Sequence, residues 1–302
     1  MSDFQSTINS DKLTYVSMLI AATKKALRSE CQLSVLQYRL LCVIADESEN
    51  WNVGQLSRQL SAGTSIVSQS LKKLGDLGLI AKEPVSSKSL RIVCTAPGRE
   101  AIAKANDVAE QVQWDYFSVL PPELRSHIIT GSYLTNMAQG KRIPMRDGCF
   151  FDTITVLDAF ITAETTFIKY SHSMSLSATQ TRVLLFLLER KQRNAGRTVT
   201  PTLLSNELFL APSTIADNLK VLEDRVLIQT HENCSDGRSY ELAITPLGED
   251  VICQFVEAYY HAISDDLRQT SAEERARYQD AASTIVASMI AKRRRSHHKK
   301  SS

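Results

Sequence analysis

The chain repeats itself. "LSVLQYRLLCVI" (33–44) and "LSATQTRVLLFL" (176–187) share Leu, Ser, Gln, Arg and Leu in register. "NVGQLSRQLSAGTSIVSQSLKKLGDLGLI" (52–80) parallels "TPTLLSNELFLAPSTIADNLKVLEDRVLI" (200–228), aligning Leu56, Ser65, Leu71, Lys72 and Leu74 with Leu204, Ser213, Leu219, Lys220 and Leu222. "SSKSLRIVCTAPGRE" (86–100) then parallels "DGRSYELAITPLGED" (236–250), keeping a Ser, a Thr and a Gly. Three blocks in the same order are the mark of a tandem duplication. The 302 residues suffice for two domains of ordinary size, so each copy must close its own small core.

Each copy reads element by element. A long amphipathic helix comes first, about 11–30 and 150–173, and a second helix follows behind Ser34 or Ser177 (34–47; 177–192). A short helix begins at Asn52 or Thr200, with Pro201 at the first helical position of the second copy. A turn, "SAGTS" or "FLAPS", leads into a helix whose buried stripe is Val67/Leu71/Leu74 or Ile215/Leu219/Leu222. Gly78 suits a left-handed cap; its counterpart is Val226, which implies a different ending in the second copy. A two-stranded hairpin comes next, in which Tyr240, Leu242 and Ile244 alternate with polar or small residues. Thr245-Pro246 then opens a helix. Two further long helices close each copy, about 97–119 with 122–138 and 247–268 with 271–292.

Short helix, tight turn, helix and hairpin make the winged helix-turn-helix arrangement. Both halves resemble the MarR family of bacterial transcription regulators over almost the whole chain. The second half carries that family's wing pattern as Asp236, Arg238, Thr245 and Gly248; the first keeps Thr95 and Gly98 but has Ser86 and Lys88 at the other positions. The fold expected is therefore mainly α, a tandem duplication of a winged helix-turn-helix domain with small β-hairpin wings. The family usually works as a homodimer of intertwined terminal helices, so the resemblance implies an intramolecular pseudo-dimer. The domains expected are 1–138 and 149–292, joined by a polar linker (139–148) and trailed by a basic, disordered tail (293–302). Ten linker residues span at most roughly 33 Å, enough to join ends that meet in one helical region.

The resemblance also implies the partner, double-stranded DNA. In this fold the wing tip lies over the minor groove, where Arg238, steadied by Asp236, would meet a negative potential. Lys88 is the point-charge counterpart in the first wing. With the apolar stripe buried, the first recognition helix offers Thr64, Ser65, Ser68, Gln69 and Lys72; the second offers Ser213, Thr214, Asp217 and Lys220. Gln69 suits an adenine edge, and the hydroxyls suit bases or phosphates. Asp217 accepts from a cytosine amine but otherwise repels phosphate. Charge divides the copies: from Trp51 to Ile92, six basic residues oppose two acidic ones, net +4, while from Val199 to Ile244 three oppose seven, net −4. Phosphate neutralisation supplies much of DNA affinity, so the first copy is expected to dominate the grip on two unlike half-sites. The acidic second copy equally suits a winged-helix scaffold that binds protein.

Family members often sense small aromatic ligands between the DNA-binding lobe and the dimerisation helices. Candidate linings are Tyr38, Trp114 and Phe117 in one half and Phe167, Tyr170, His172 and Tyr259 in the other; all also fit ordinary helical core. Some relatives sense oxidants through a cysteine, for which Cys234 in the wing and Cys31 at a helix junction are the candidates. Neighbouring Glu232 and Asp236, or Glu30, discourage a reactive thiolate at either. The six cysteines are scattered without a CxxC pair, which fits a reducing cytoplasm and no disulfide or zinc framework. No apolar run reaches the roughly 18–20 residues of a membrane span, and no secretory signal opens the chain. No phosphate loop, HExxH or GxSxG is present, so neither a cofactor nor an enzyme is expected.

Overall fold

A computed structural model of the chain describes residues 9–46, 51–86, 89–141, 145–146, 149–150, 152–193, 198–232, 240–263 and 271–298. It is mainly helical, with small antiparallel hairpins. Helices α1 (Ser10–Glu30), α2 (Val35–Ala45), α3 (Val53–Gln59) and α4 (Thr64–Asp76) precede the hairpin β1 (Ile80–Ser86) and β2 (Ser89–Cys94). After it come α5 (Ala96–Phe117) and α6 (Pro122–Ala138). A minimal hairpin, β3 (Met145–Arg146) with β4 (Cys149–Phe150), leads to α7 (Asp152–Ser173). Then α8 (Ala178–Gln192), α9 (Pro201–Glu207) and α10 (Pro212–Asp224) precede β5 (Ile228–Glu232) and β6 (Tyr240–Ile244). Helices α11 (Pro246–Ala262) and α12 (Ala272–His298) end the series.

The chain forms two compact units, a leading one of Leu19–Thr162 and a trailing one of Met1–Met18 with Ala163–Ser302. The division falls inside α1 and α7, so each of these helices contributes residues to both units. The leading core gathers Tyr38, Leu41, Leu56, Val67 and Leu74 and takes Ile154 and Leu157 from α7. The trailing core gathers Val183, Leu204, Ile215, Leu222 and Phe255 and takes Leu13 from α1.

The local geometry of the two units agrees at the caps of α2 and α8 and at the junctions from wing to helix. Ser34 and Ser177 each close a capping box, accepting from the backbone N–H of Gln37 or Gln180 while that glutamine's Oε1 accepts from the serine N–H at 2.8 Å. The helices behind these caps, α2 and α8, are buried on nearly every face and form the spine of each core. Thr95 and Thr245 cap α5 and α11, accepting from Gly98 N at 3.1 Å and Gly248 N at 3.0 Å. Each threonine hydroxyl also donates back, at 2.7 Å, to the carbonyl that ends the preceding helix, Gly78 or Val226. A β-carbon at Gly98 would lie 2.1 Å from the Leu79 carbonyl oxygen, and one at Gly248 equally close to that of Leu227. The Thr-x-x-Gly spacing is thus a clasp: threonine ties the wing to the recognition helix, and glycine lets the two backbones approach.

Three expectations are corrected. Val226 ends its helix in the same left-handed conformation as Gly78, at φ 56° against 69°, because the clasp imposes that path whatever the residue. Tyr240 is 55% exposed, so only Leu242 and Ile244 carry the buried face of β6. The last helix continues to His298 through the stretch expected to be a disordered tail from 293. Its Ala, Lys and Arg residues are good helix formers, and cations complement a helix C-terminus. The polar connector also contains more structure than expected, since Met145 and Arg146 of β3 pair antiparallel with Phe150 and Cys149 of β4.

The clasp gives opposite signs for two kinds of substitution. Gly98→Ala and Gly248→Ala should each cost about 1–3 kcal/mol through forced backbone movement. Val226→Gly should stabilise by up to about 1 kcal/mol, relieving a β-branched residue of left-handed strain. Urea unfolding of the three variants against the parent protein checks both signs.

Candidate nucleic-acid interface

In each unit a buried arginine sets the helix-turn-helix. Arg39 of α2 donates through Nη2 to the Leu60 carbonyl at 3.0 Å, fixing the turn between α3 and α4. Its Nε donates to Asp158 Oδ1 at 2.5 Å, and Lys141 Nζ donates to Asp158 Oδ2 at 2.9 Å and also to Thr162 Oγ1. Lys141 belongs to the polar connector, yet its side chain is only 3% exposed. Arg182, the counterpart of Arg39, donates through Nη2 to the Leu208 carbonyl at 2.7 Å and to Thr14 Oγ1 at 2.9 Å. No carboxylate closes that network among the described contacts, and Arg182 Nε is without a partner among the described residues. Burial pulls the Arg182 guanidinium down to about 10, against the smaller opposing influence of Glu164.

The turns have matching backbones. Ser61 and Phe209 are left-handed at φ 50° and 53°, and the Ser57 and Ser205 hydroxyls donate to the Ala62 and Leu210 carbonyls. Helix α4 then buries Val67, Leu71 and Leu74, and α10 buries Ile215, Leu219 and Leu222. Neither helix has a side-chain cap at its N-terminus, so their first-turn N–H groups are open to another acceptor.

Opposite the buried stripe, Thr64, Ser65, Ser68, Gln69 and Lys72 are all exposed on α4. On α10, Ser213, Asp217 and Lys220 are exposed, while Thr214 is half-buried and its carbonyl accepts from Asn218 Nδ2 at 2.7 Å. Asn218 Oδ1 also accepts from the Ser177 hydroxyl at 3.1 Å, joining α10 to the start of α8. Ile66, unremarked in the sequence pattern, is 58% exposed on the first turn of α4. Its one-residue offset from the 67/71/74 stripe is the signal that marks it. Lys88, Cys234, Asp236 and Arg238 lie outside the described residues. On the described part of the first wing, Arg91 pairs with Glu83 at 2.8 Å across the strands.

The aromatic candidates divide. Phe167, Tyr170 and Tyr259 do come together, with Phe255 among them: Phe167 meets Phe255 edge-on at 5.5 Å, Phe255 stacks on Tyr259 at 5.7 Å, and Tyr170 meets Tyr259 at 6.3 Å. Phe167 and Tyr259 are buried, Tyr170 is half-buried and His172 is exposed. In the leading unit Tyr38 is wholly buried and donates to Asn106 Oδ1 at 2.6 Å. Phe117 packs edge-on against Phe160, whereas Trp114 is on the surface with the Arg125 guanidinium 4.9 Å above its ring. Cys31 is half-buried, and burial raises its thiol despite nearby Lys104; Cys42, wholly enclosed, is pushed up to about 12. Both shifts disfavour the thiolate. Among the described residues no cluster of His, Cys, Asp or Glu could hold a metal ion, and no helix is long and apolar enough to cross a membrane.

Residues 36–82, from α2 into β1, match the profile of the bacterial regulatory protein arsR family. No curated protein matches the chain. Solved structures similar to parts of it include a MarR-family transcriptional regulator from Rhodococcus sp. RHA1, 23% identical over 35% of this chain and 75% of that one, with a TM-score of 0.32. A mutant of MepR from a multidrug-resistant S. aureus clinical isolate is 18% identical over 45% of this chain and 96% of that one, TM-score 0.38. A MarR-family protein of Mycobacterium tuberculosis in complex with salicylic acid is 24% identical over 35% and 79%, TM-score 0.32. The helix-turn-helix match, with the hairpin that comes after α4, supports a winged-helix DNA-binding transcriptional regulator. It points to that class rather than to an enzyme.

The two arginine networks should respond differently to mutation. Asp158→Asn leaves two buried cations facing a neutral amide and is expected to cost about 3–5 kcal/mol. Arg182→Met removes an already poorly partnered charge and should cost at most about 2 kcal/mol. Denaturant midpoints of the two variants at neutral pH compare them directly.

Proposed function

We propose that this chain is a sequence-specific reader of duplex DNA that represses transcription by occupying promoter DNA, as a single-chain pseudo-dimer built from a duplicated domain. The observation that carries the DNA reading is the face of α4: five polar or cationic residues stand exposed on a helix whose opposite stripe is buried and whose leading turn is pinned by Arg39. Thr64, Ser65 and Ser68 would contact phosphates or base edges, Gln69 an adenine edge and Lys72 a phosphate. Ser213, Thr214, Asp217 and Lys220 would make the weaker second contact, with Lys88, Asp236 and Arg238 at the wings. The pseudo-dimer reading is supported by matching cap, turn and clasp geometry, and by the contribution of α1 and α7 to both compact units. Release by a small aromatic effector would act near Tyr170, the half-buried edge of the trailing aromatic cluster.

One observation favours a protein-binding scaffold instead: Asp217 stands exposed on α10 in a lobe of net charge −4. Fluorescence anisotropy on duplex from the chain's own upstream region, against scrambled duplex over a salt series, separates the two. A DNA reader prefers the native duplex and loses affinity steeply with salt, whereas a scaffold does neither. Within the DNA reading, Lys72→Ala should weaken binding by about fivefold to tenfold and reduce the salt slope by about 1, with Lys220→Ala changing affinity less than about twofold. Equal losses would remove the asymmetry between the halves.

A further inference from the structure

The trailing helix-turn-helix and its hairpin present an electrostatic contradiction: an exposed recognition face within a segment, 199–244, of net charge −4. Helix α12 brings cations to its edge. This 27-residue helix reaches the lobe at Arg293, whose Nη1 donates to the Ser205 carbonyl in α9 at 3.3 Å. The same guanidinium lies 5.5 Å over the ring of Phe209, in the left-handed turn just before α10 begins at Pro212. A cation at the C-terminal turn of α9 is favourably placed against that helix's dipole. Arg293 therefore fixes the end of α12 beside the entry to the second recognition helix.

Beyond that anchor the sequence carries no acidic residue. Within α12, Lys292, Arg293, Arg294 and Arg295 are four consecutive cations, and the last acidic residue before them is Asp280. The helix continues to His298, so the positions of Arg294 and Arg295 lie about 100° and 200° around its axis from that of Arg293.

We propose that the C-terminal end of α12 is a phosphate-binding arm of the trailing lobe, in which Arg293 anchors the helix to the helix-turn-helix and Arg294 and Arg295 neutralise DNA backbone phosphates. The arm supplies the sequence-independent grip that α10 lacks and leaves base reading to the recognition helices. This rests on the DNA-binding reading above.

The test is the salt dependence of binding to a mixed-sequence duplex between about 50 and 200 mM salt. For the Arg294→Gln/Arg295→Gln double variant, the magnitude of the slope of log affinity against log salt should fall by about 1–2, with roughly a tenfold loss of affinity near 150 mM. The Arg294→Lys/Arg295→Lys variant keeps the charge and should keep most of the slope; if it loses as much as the glutamine variant, phosphate neutralisation is not the role. Equal melting temperatures for both variants and the parent separate a lost contact from a lost fold. An unchanged slope in the glutamine variant, or tighter binding, would overturn the proposal; tighter binding would instead mark the arm as a mask over the acidic lobe. Absence of DNA binding by the parent protein would overturn the broader DNA reading as well.

Discussion

The helix-turn-helix in each unit depends on a guanidinium buried where water cannot reach it. Arg39 and Arg182 each hold the carbonyl at the end of the short helix, Leu60 or Leu208, and so fix where the next helix begins. A buried carbonyl in a tight turn needs a donor, and the backbone amides nearby are already committed to the helices or the left-handed turn. Arginine serves because its planar fork reaches the carbonyl with one arm and a second acceptor with another. That second acceptor is where the units differ. Asp158 balances the charge on Arg39, whereas Thr14 offers Arg182 only a hydroxyl, and the trailing guanidinium carries its desolvation cost with less in return.

Much of the fold is legible in the sequence because periodicity and caps report directly on backbone geometry. The stripes Val67/Leu71/Leu74 and Ile215/Leu219/Leu222 are buried as their spacing requires, and the Ser34, Asn52, Ser177, Thr200 and Thr245 caps all start helices. Val226 misleads because glycine is a sufficient but not a necessary sign of a left-handed cap. A threonine hydroxyl nineteen residues later holds its carbonyl, and that restraint is invisible to local propensity. Lys141 misleads for a related reason. A lysine among Gln, Gly and Arg looks solvated, and only the folded chain brings Asp158 to it.

The exposed faces of α4 and α10 are legible as the complement of their stripes. The aromatic residues are less so, since helical spacing marks an aromatic as inward-facing without saying whether a neighbour fills the space beside it. Phe167 and Tyr259 are enclosed by Phe255, while Trp114 sits outside the core altogether. Charge is the most informative sequence quantity that elements cannot explain one at a time. The −4 of the trailing lobe suggests a loss of DNA binding as long as the basic C-terminus is treated as a separate tail. With Arg293 seated on Phe209, the basic run begins at the edge of the acidic lobe.

The division of α1 and α7 between the compact units bears on how such a chain can be taken apart. A polypeptide ending at Gly148 would contain α1 to α6, yet it would lack Ile154, Leu157 and Asp158, which the leading core and the Arg39 network use. A polypeptide beginning there would lack Leu13 and Thr14. Each compact unit therefore draws on residues from both sides of position 148. Because each core is completed from both sides of that position, the two units are always made together and in equal number.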